Sequence, residues 1–174
     1  TDTNGIAVAS DSLTLNGGTI VDLAGNNAVL SHSLVTDNSN FKVDTTSPDV
    51  IPLSPVDNGN SLGLGSDLIL GANETVSKGG SGTITLYEVG SATPVEIINI
   101  SSSQVSIVGT GSSTQIRINP SADLIKDHQY YVKASSGSFV DLAGNIWAGI
   151  ADATTWNFTG AGATVTINTI AVDN

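Results

Sequence analysis

The sequence contains no cysteine and no methionine. Without cysteine there is no disulfide framework and no thiolate for catalysis or metal binding. The joint absence suits a surface exposed to oxidants. Histidine is almost missing as well, with His32 and His128 alone. A histidine-based metal site or a Ser-His-Asp triad therefore has little raw material. Basic residues are equally scarce: 5 Lys and Arg stand against 16 Asp and Glu, for a formal net charge of −11. That charge repels phosphate, which argues against nucleic acid and against anionic membrane surfaces as partners. No apolar run approaches the roughly 18 residues of a membrane-spanning helix, so no membrane insertion is expected. No signal-peptide pattern opens the chain, which is read as a mature or excised segment.

What remains is a chain of 174 residues, 39% hydrophobic, with 19 glycines and only 12% charged residues. A globular domain usually carries about 25% charged residues. The composition is too apolar for an acidic disordered tail. Helical periodicity is absent, and short alternating runs bounded by Gly, Ser, Asn and Asp take its place. Ile84 and Leu86 share one face of such a run, as do Ile116 and Ile118, then Tyr130, Val132 and Ala134, then Trp156 and Phe158. Residues 50–53, 68–70, 95–100 and 105–108 add further strands. About seven short strands over roughly 110 residues read as an antiparallel sandwich. One helical turn is expected, over residues 122–126 after Pro120.

The segment Val21-Asp22-Leu23-Ala24-Gly25-Asn26 recurs 119 residues later as Val140-Asp141-Leu142-Ala143-Gly144-Asn145. Val56-Asp57-Asn58 recurs as Val172-Asp173-Asn174 at an offset of 116 residues. The agreement predicts a tandem array with a repeat of roughly 115 to 120 residues. The chain then holds the C-terminal strands of one repeat (1–45), a complete repeat (46–160) and the first strand of a third (161–174). That last strand would bury Val165 and Ile167, with Ile170 beside them. A lone end hairpin is marginal in water, so residues 1–45 are expected to be weakly ordered or completed by something else, such as a strand exchanged between chains.

Several motifs inside the complete repeat point to a family. They are Pro48, Ser54-Pro55-Val56-Asp57-Asn58, Glu74-Thr75-Val76, the run Gly80 to Leu86, Leu124 six residues before Tyr130, Asp141 to Asn145, and Trp156-Asn157-Phe158-Thr159. Together they resemble the bacterial Ig-like domains of surface-layer proteins and large RTX-type adhesins. Residues 1–48 resemble the end of a neighbouring Ig-like type. The resemblance implies an all-β, Ig-like antiparallel sandwich in a tandem array. It further implies a spacer or binding module on the bacterial cell surface or secreted from the cell, with calcium stiffening the junctions between repeats.

The Asp-Leu-Ala-Gly-Asn segments read first as strand-to-loop corners, in which Asp and Asn bond local backbone and Gly takes a positive φ. Their oxygens are also hard ligands suited to Ca2+. In an Ig-type sandwich the loop holding Asp141 and Asn145 returns to the N-terminal pole. Asp44 and Asp49 in the N-terminal linker should meet it there, beside Asn73 and Glu74. Clustered carboxylates repel one another unless a cation intervenes, so Asp44, Asp49, Asp141 and Asn145 are the candidate calcium ligands, and at this junction corner and metal site both stand open. The junction Gly160-Ala161-Gly162-Ala163 carries no acid and is expected to stay flexible.

No enzyme is expected. Asp127-His128 near Tyr130 is a weak acid–base pair, and the glycine-rich stretches lack the partners of a nucleophile elbow or phosphate cradle. Trp147 is expected to lid the core; exposed, it would instead offer a platform for a carbohydrate- or protein-binding module, the alternative function. The main expectation is a structural extender of a surface adhesin, with neighbouring Ig-like repeats as its partners.

Overall fold

A computed structural model describes Asp2, residues 4–63, 65–122 and 124–161. The expected strand at 164–172 lies outside the described residues. The chain divides into two compact units, Thr1–Thr46 and Ser47–Asn174.

In the first unit, β1 (Ile6–Val8) pairs antiparallel with β2 (Val35–Asn38). The remainder is turns and an isolated bridge between Val21 and Asn27. Its large apolar side chains, Leu13, Ile20, Val29, Leu34 and Phe41 among them, are exposed.

The regular structure described in the second unit is strand, apart from one 3-10 turn. Its order is β3 (Val50–Ser54), β4 (Gly59–Leu62), β5 (Leu68–Ala72), β6 (Val76–Lys78), β7 (Thr83–Glu88), β8 (Pro94–Asn99), β9 (Val105–Val108), β10 (Gln115–Ile118), β11 (Gln129–Ala134), β12 (Phe139–Asp141) and β13 (Asn157–Gly160). One sheet runs β3-β5-β10-β9 and the other β4-β13-β11-β7-β8. A short ladder joins β12 to β6. Leu68, Leu70, Ile116 and Ile118 from the first sheet pack with Ile84, Leu86, Val132 and Phe158 from the second in one core. This is the antiparallel Ig-like sandwich that the alternation implied, with the period-two register in place: Ile116 and Ile118 are fully buried while Arg117 between them reaches solvent.

The first edge of the fold changes sheets. After β3 the chain turns through Pro55 to Asn58, and β4 then runs parallel to β13. This crossover is fastened to the last strand. The Trp156 indole Nε1 donates to the Pro55 carbonyl at 2.9 Å. Asp57 Oδ1 accepts from the Asn157 backbone N–H at 2.9 Å and from Asn157 Nδ2 at 3.0 Å. The Asn58 N–H donates to the Asn157 carbonyl at 2.7 Å. The motif residues 54–58 and 156–159 are therefore two halves of one clasp.

Two expectations need correction. Residues 122–126 form no helix among the described positions; the one helical turn among the described residues is a 3-10 turn at Gly111–Ser113. The reason is Tyr130, whose hydroxyl accepts the Ile125 N–H at 2.8 Å and draws that backbone outward from a helical path, while Leu124 inserts into the core. Gly160 and Ala161, assigned by sequence to a flexible junction, instead belong to the sandwich. Gly160 ends β13, and the Ala161 N–H donates to the Leu62 carbonyl at 2.9 Å.

Replacing Ile118 by Ala removes a fully buried side chain between the sheets and should cost about 2–5 kcal/mol, read by chemical denaturation. A cost below 1 kcal/mol would contradict this register.

Candidate functional site

The repeated six-residue motif folds twice into the same corner. In the first unit, Asp22 Oδ1 accepts the N–H groups of Ala24 and Asn26 at 2.9 Å each, and Asp22 Oδ2 accepts Asn26 Nδ2 at 2.8 Å. In the second, Asp141 Oδ1 accepts the N–H groups of Ala143 and Asn145, and Asp141 Oδ2 accepts Asn145 Nδ2, all at 2.8 Å. Gly25 and Gly144 sit at φ of 87° and 91°, the left-handed region that glycine enters without a Cβ penalty. The Asp-to-Asn spacing of four is what lets one carboxylate close the loop on itself, so the corner forms from local sequence alone.

The two copies differ in surroundings. Asp22 is exposed, whereas Asp141 is buried at the end of β12, where that strand pairs with β6. Burial pushes the Asp141 carboxyl up, but the bonds from the Asn145 side chain and from the Asn145, Ala143 and Gly144 backbone outweigh it and hold the group below its ordinary range. At Asp22 the Asn26 side chain leads the same lowering.

Around Asp141 the topology gathers further oxygens. A carboxylate oxygen of Glu74, in the turn between β5 and β6, lies within 4.8 Å of one of Asp141. Asp49, just before β3, is tied to that turn by a reciprocal pair: its N–H donates to Asn73 Oδ1 at 2.9 Å and its carbonyl accepts the Asn73 N–H at 3.0 Å. Asp44 belongs to the first unit, where its Oδ1 accepts the Thr46 N–H at 3.0 Å. The structure thus joins Asp141 to Asn145 by hydrogen bonds, brings Glu74 beside them, and fixes Asp49 to the turn that carries Glu74.

A family model for the bacterial Ig-like domain matches residues 44–160. The chain belongs to the bacterial Ig-like domain family. Comparison with curated proteins and with solved structures gave no match. Bacterial Ig-like domains of this kind are typically non-catalytic structural modules, commonly extracellular or at the surface.

Within this Ig-like domain the donor set around Asp141 has the chemistry of a hard-cation site, with carboxylate and carbonyl oxygens and no sulfur or imidazole. Asp141 Oδ1 already takes two N–H donors, which fills its lone-pair directions, so a cation would meet Asp141 at Oδ2. His128 has a different partner from the one the sequence suggested: its Nδ1 lies 2.7 Å from Glu88 Oε1, while Asp127 pairs with Lys126. Trp147 is buried and packs against Phe139 with ring centroids 5.7 Å apart, in the position of a core lid. Two acid-centred clasps escaped sequence reasoning. Glu96 accepts from Gln104, Ser121 and Ala122; burial raises its carboxyl and these bonds bring it below the ordinary range. Asp152 accepts the side-chain and backbone donors of Thr154 and Thr155, which hold it far below that range. The Asp-x-Thr-Thr spacing was the readable signal for the second.

Because the folded pKa of Asp141 lies below its unfolded value, the carboxylate stabilises the fold above about pH 4, and that contribution fades as pH falls through the lowered folded value. Asp141→Ala should therefore cost about 1–3 kcal/mol at pH 7, with the gap to wild type closing as pH drops toward about 2. Thermal melts across that range measure it.

Proposed function

We propose that this chain is a structural extender of a bacterial cell-surface adhesin, working outside the cell and loaded in tension. The observation that carries the reading is the clasp between the β3–β4 crossover and β13. Because β4 and β13 run parallel, pulling the two ends of the domain apart slides these strands past each other. The bonds of the clasp then share the load rather than opening one by one. Family membership supports the surface location, and the excess of acids keeps neighbouring copies soluble and apart.

The proposal extends to the array. Residues 1–45 are read as the closing strands of a preceding Ig-like repeat, and 161–174 as the opening strand of a following one. Support comes from the positions related by the 119-residue offset. Leu13 and Ile20 are 53% and 52% exposed, whereas their counterparts Val132 and Phe139 are fully buried; Leu23 and Leu142, at the tip of the corner, are exposed in both. Inner-face residues that lack a facing sheet would show this contrast. Neighbouring repeats of the same chain are the proposed partners, with strand exchange between chains as the other way of covering that face.

Calcium is proposed at the N-terminal pole, with Asp141 and Glu74 as the core of the site and Asp44, Asp49 and the Asn145 corner as the remaining ligands. The closeness of the Glu74 and Asp141 carboxylates supports it. A shared ion would stiffen the junction by joining linker to loop.

Two measurements test these readings. In single-molecule pulling, Asp57→Ala should lower the unfolding force, since about 1.4 kcal/mol lost from the barrier speeds unfolding about tenfold; an unchanged force would remove the clasp from the mechanism. In calorimetric titration and thermal melts, calcium should bind and raise the melting temperature, worth about 2.7 kcal/mol at a hundredfold excess over Kd. Identical melts with calcium and with chelator would leave Asp141 as a corner residue only.

A further inference from the structure

The outer face of the five-stranded sheet carries a set of groups that the extender reading does not use. The alternation that turns Ile84 and Leu86 inward turns Thr83, Thr85 and Tyr87 outward along β7, and likewise Tyr131 and Lys133 along β11. Register places Tyr131 opposite Tyr87 and Lys133 opposite Thr85. The two tyrosine rings stack at 4.9 Å, only 7° from parallel. The chain after Trp147 raises a wall beside this face. Ile150 exchanges both backbone hydrogen bonds with Ala134 at 2.9 Å, and Gly149, at φ +83°, lies so close that a Cβ there would come 2.5 Å from the Ala134 carbonyl oxygen. Wall and sheet enclose a groove of about 360 Å3, lined by Thr85, Tyr87, Lys133, Ser136, Ala148 and Ala151 among others.

Part of the groove is already bonded, Thr83 to Ser135 and the Ser136 hydroxyl to the Trp147 carbonyl, but Lys133 is not. Arg117 and Lys126 each have a carboxylate within 4.0 Å, and Lys78 donates to the Ser102 carbonyl. Lys133 has no such partner among the described residues, and its ammonium lies 5.9 Å from the centre of the Tyr131 ring. The hydroxyls of Thr85, Tyr87 and Tyr131 also make no hydrogen bond to another described residue. Among the described residues Lys133 is thus a cation held by neither a carboxylate nor a carbonyl, in a chain where acids outnumber bases 16 to 5.

We propose that this groove binds an acidic carbohydrate, a uronic acid unit of an anionic polysaccharide. Its carboxylate would take the charge-assisted bond from Lys133, worth about twice a neutral one. Sugar hydroxyls would meet the Thr85 and Tyr87 hydroxyls, and the apolar C–H face of the ring would rest on Tyr87 and the Ala148–Ala151 wall. The volume lies within the roughly 300–1,000 Å3 of small-molecule sites and admits about one hexose unit with its neighbours trailing along the open face. The buried Trp147 ring and the acids around Asp141 are not among the groups that line the groove.

The test is titration of the full chain with an oligogalacturonate tetramer and, separately, a neutral maltotetraose, in the presence of chelator so that no bridging calcium contributes. Saturable binding of the acidic tetramer is expected, weakened by added salt, with amide chemical-shift changes centred on Thr85 and Lys133. Lys133→Gln should weaken it at least tenfold and Thr85→Val about fivefold, with melting temperatures unchanged. No saturable binding, equal binding of maltotetraose, or full binding by Lys133→Gln would each overturn the proposal.

Discussion

A single indole stands where the two ends of the sandwich meet. Among the described residues Trp156 is the largest fully buried side chain, and its N–H must find an acceptor inside the core. The acceptor is the carbonyl of Pro55, at the bend where the chain leaves one sheet for the other. That one bond fixes where β3 must stop and on which side β4 can form. Asp57 and Asn157 add the polar half of the fastening beside it. Without it, residues 59–62 have little reason to be a strand at all, since Gly-Asn-Ser-Leu offers no hydrophobic alternation and Leu62 is its one apolar residue.

The acidity of the chain takes on a different meaning once the side chains are placed. With so few bases, carboxylates here are seldom neutralised by cations. They act as acceptors for nearby N–H and hydroxyl groups: Asp22 and Asp141 close corners, Asp152 gathers two threonines, and Glu96 holds residues 121–122 against β8. Each replaces water around loop backbone that the sheets leave unpaired. Those at Asp22, Asp141 and Asp152 are local and depend little on the rest of the fold, whereas Glu96 reaches Ser121, 25 residues away. The identical corners at Asp22 and Asp141 make the point, one exposed in a thin hairpin unit and the other buried in a full sandwich.

The sandwich was legible because burial on one side of a sheet writes a period of two into sequence, and Ile84, Leu86, Ile116, Ile118, Tyr130 and Val132 keep it without a break. The pole where Glu74 nears Asp141 was legible too, since strand direction alone assigns loops to ends. The stretch at 122–126 misled because Ala, Leu, Ile and Lys favour helix locally, and the hydroxyl that overrides them sits on the next strand. β4, β6 and β12 escaped because strands of three or four residues carry too few positions to show a period. The groove was invisible for another reason: Thr, Tyr and Lys on an outward face look like ordinary solvent contacts until the wall from residues 148–151 is in place.

The parallel pairing of β4 with β13 also fixes direction. A domain whose strand after the first crossover points the same way as β13 carries the chain from one pole toward the other. Its two attachment points are then separated by the length of the sandwich, as they would not be in a fold that returns the chain to its starting side. Each domain of this design spliced into a polypeptide adds its own height to the reach of whatever lies beyond it, and the distance spanned becomes a matter of counting copies.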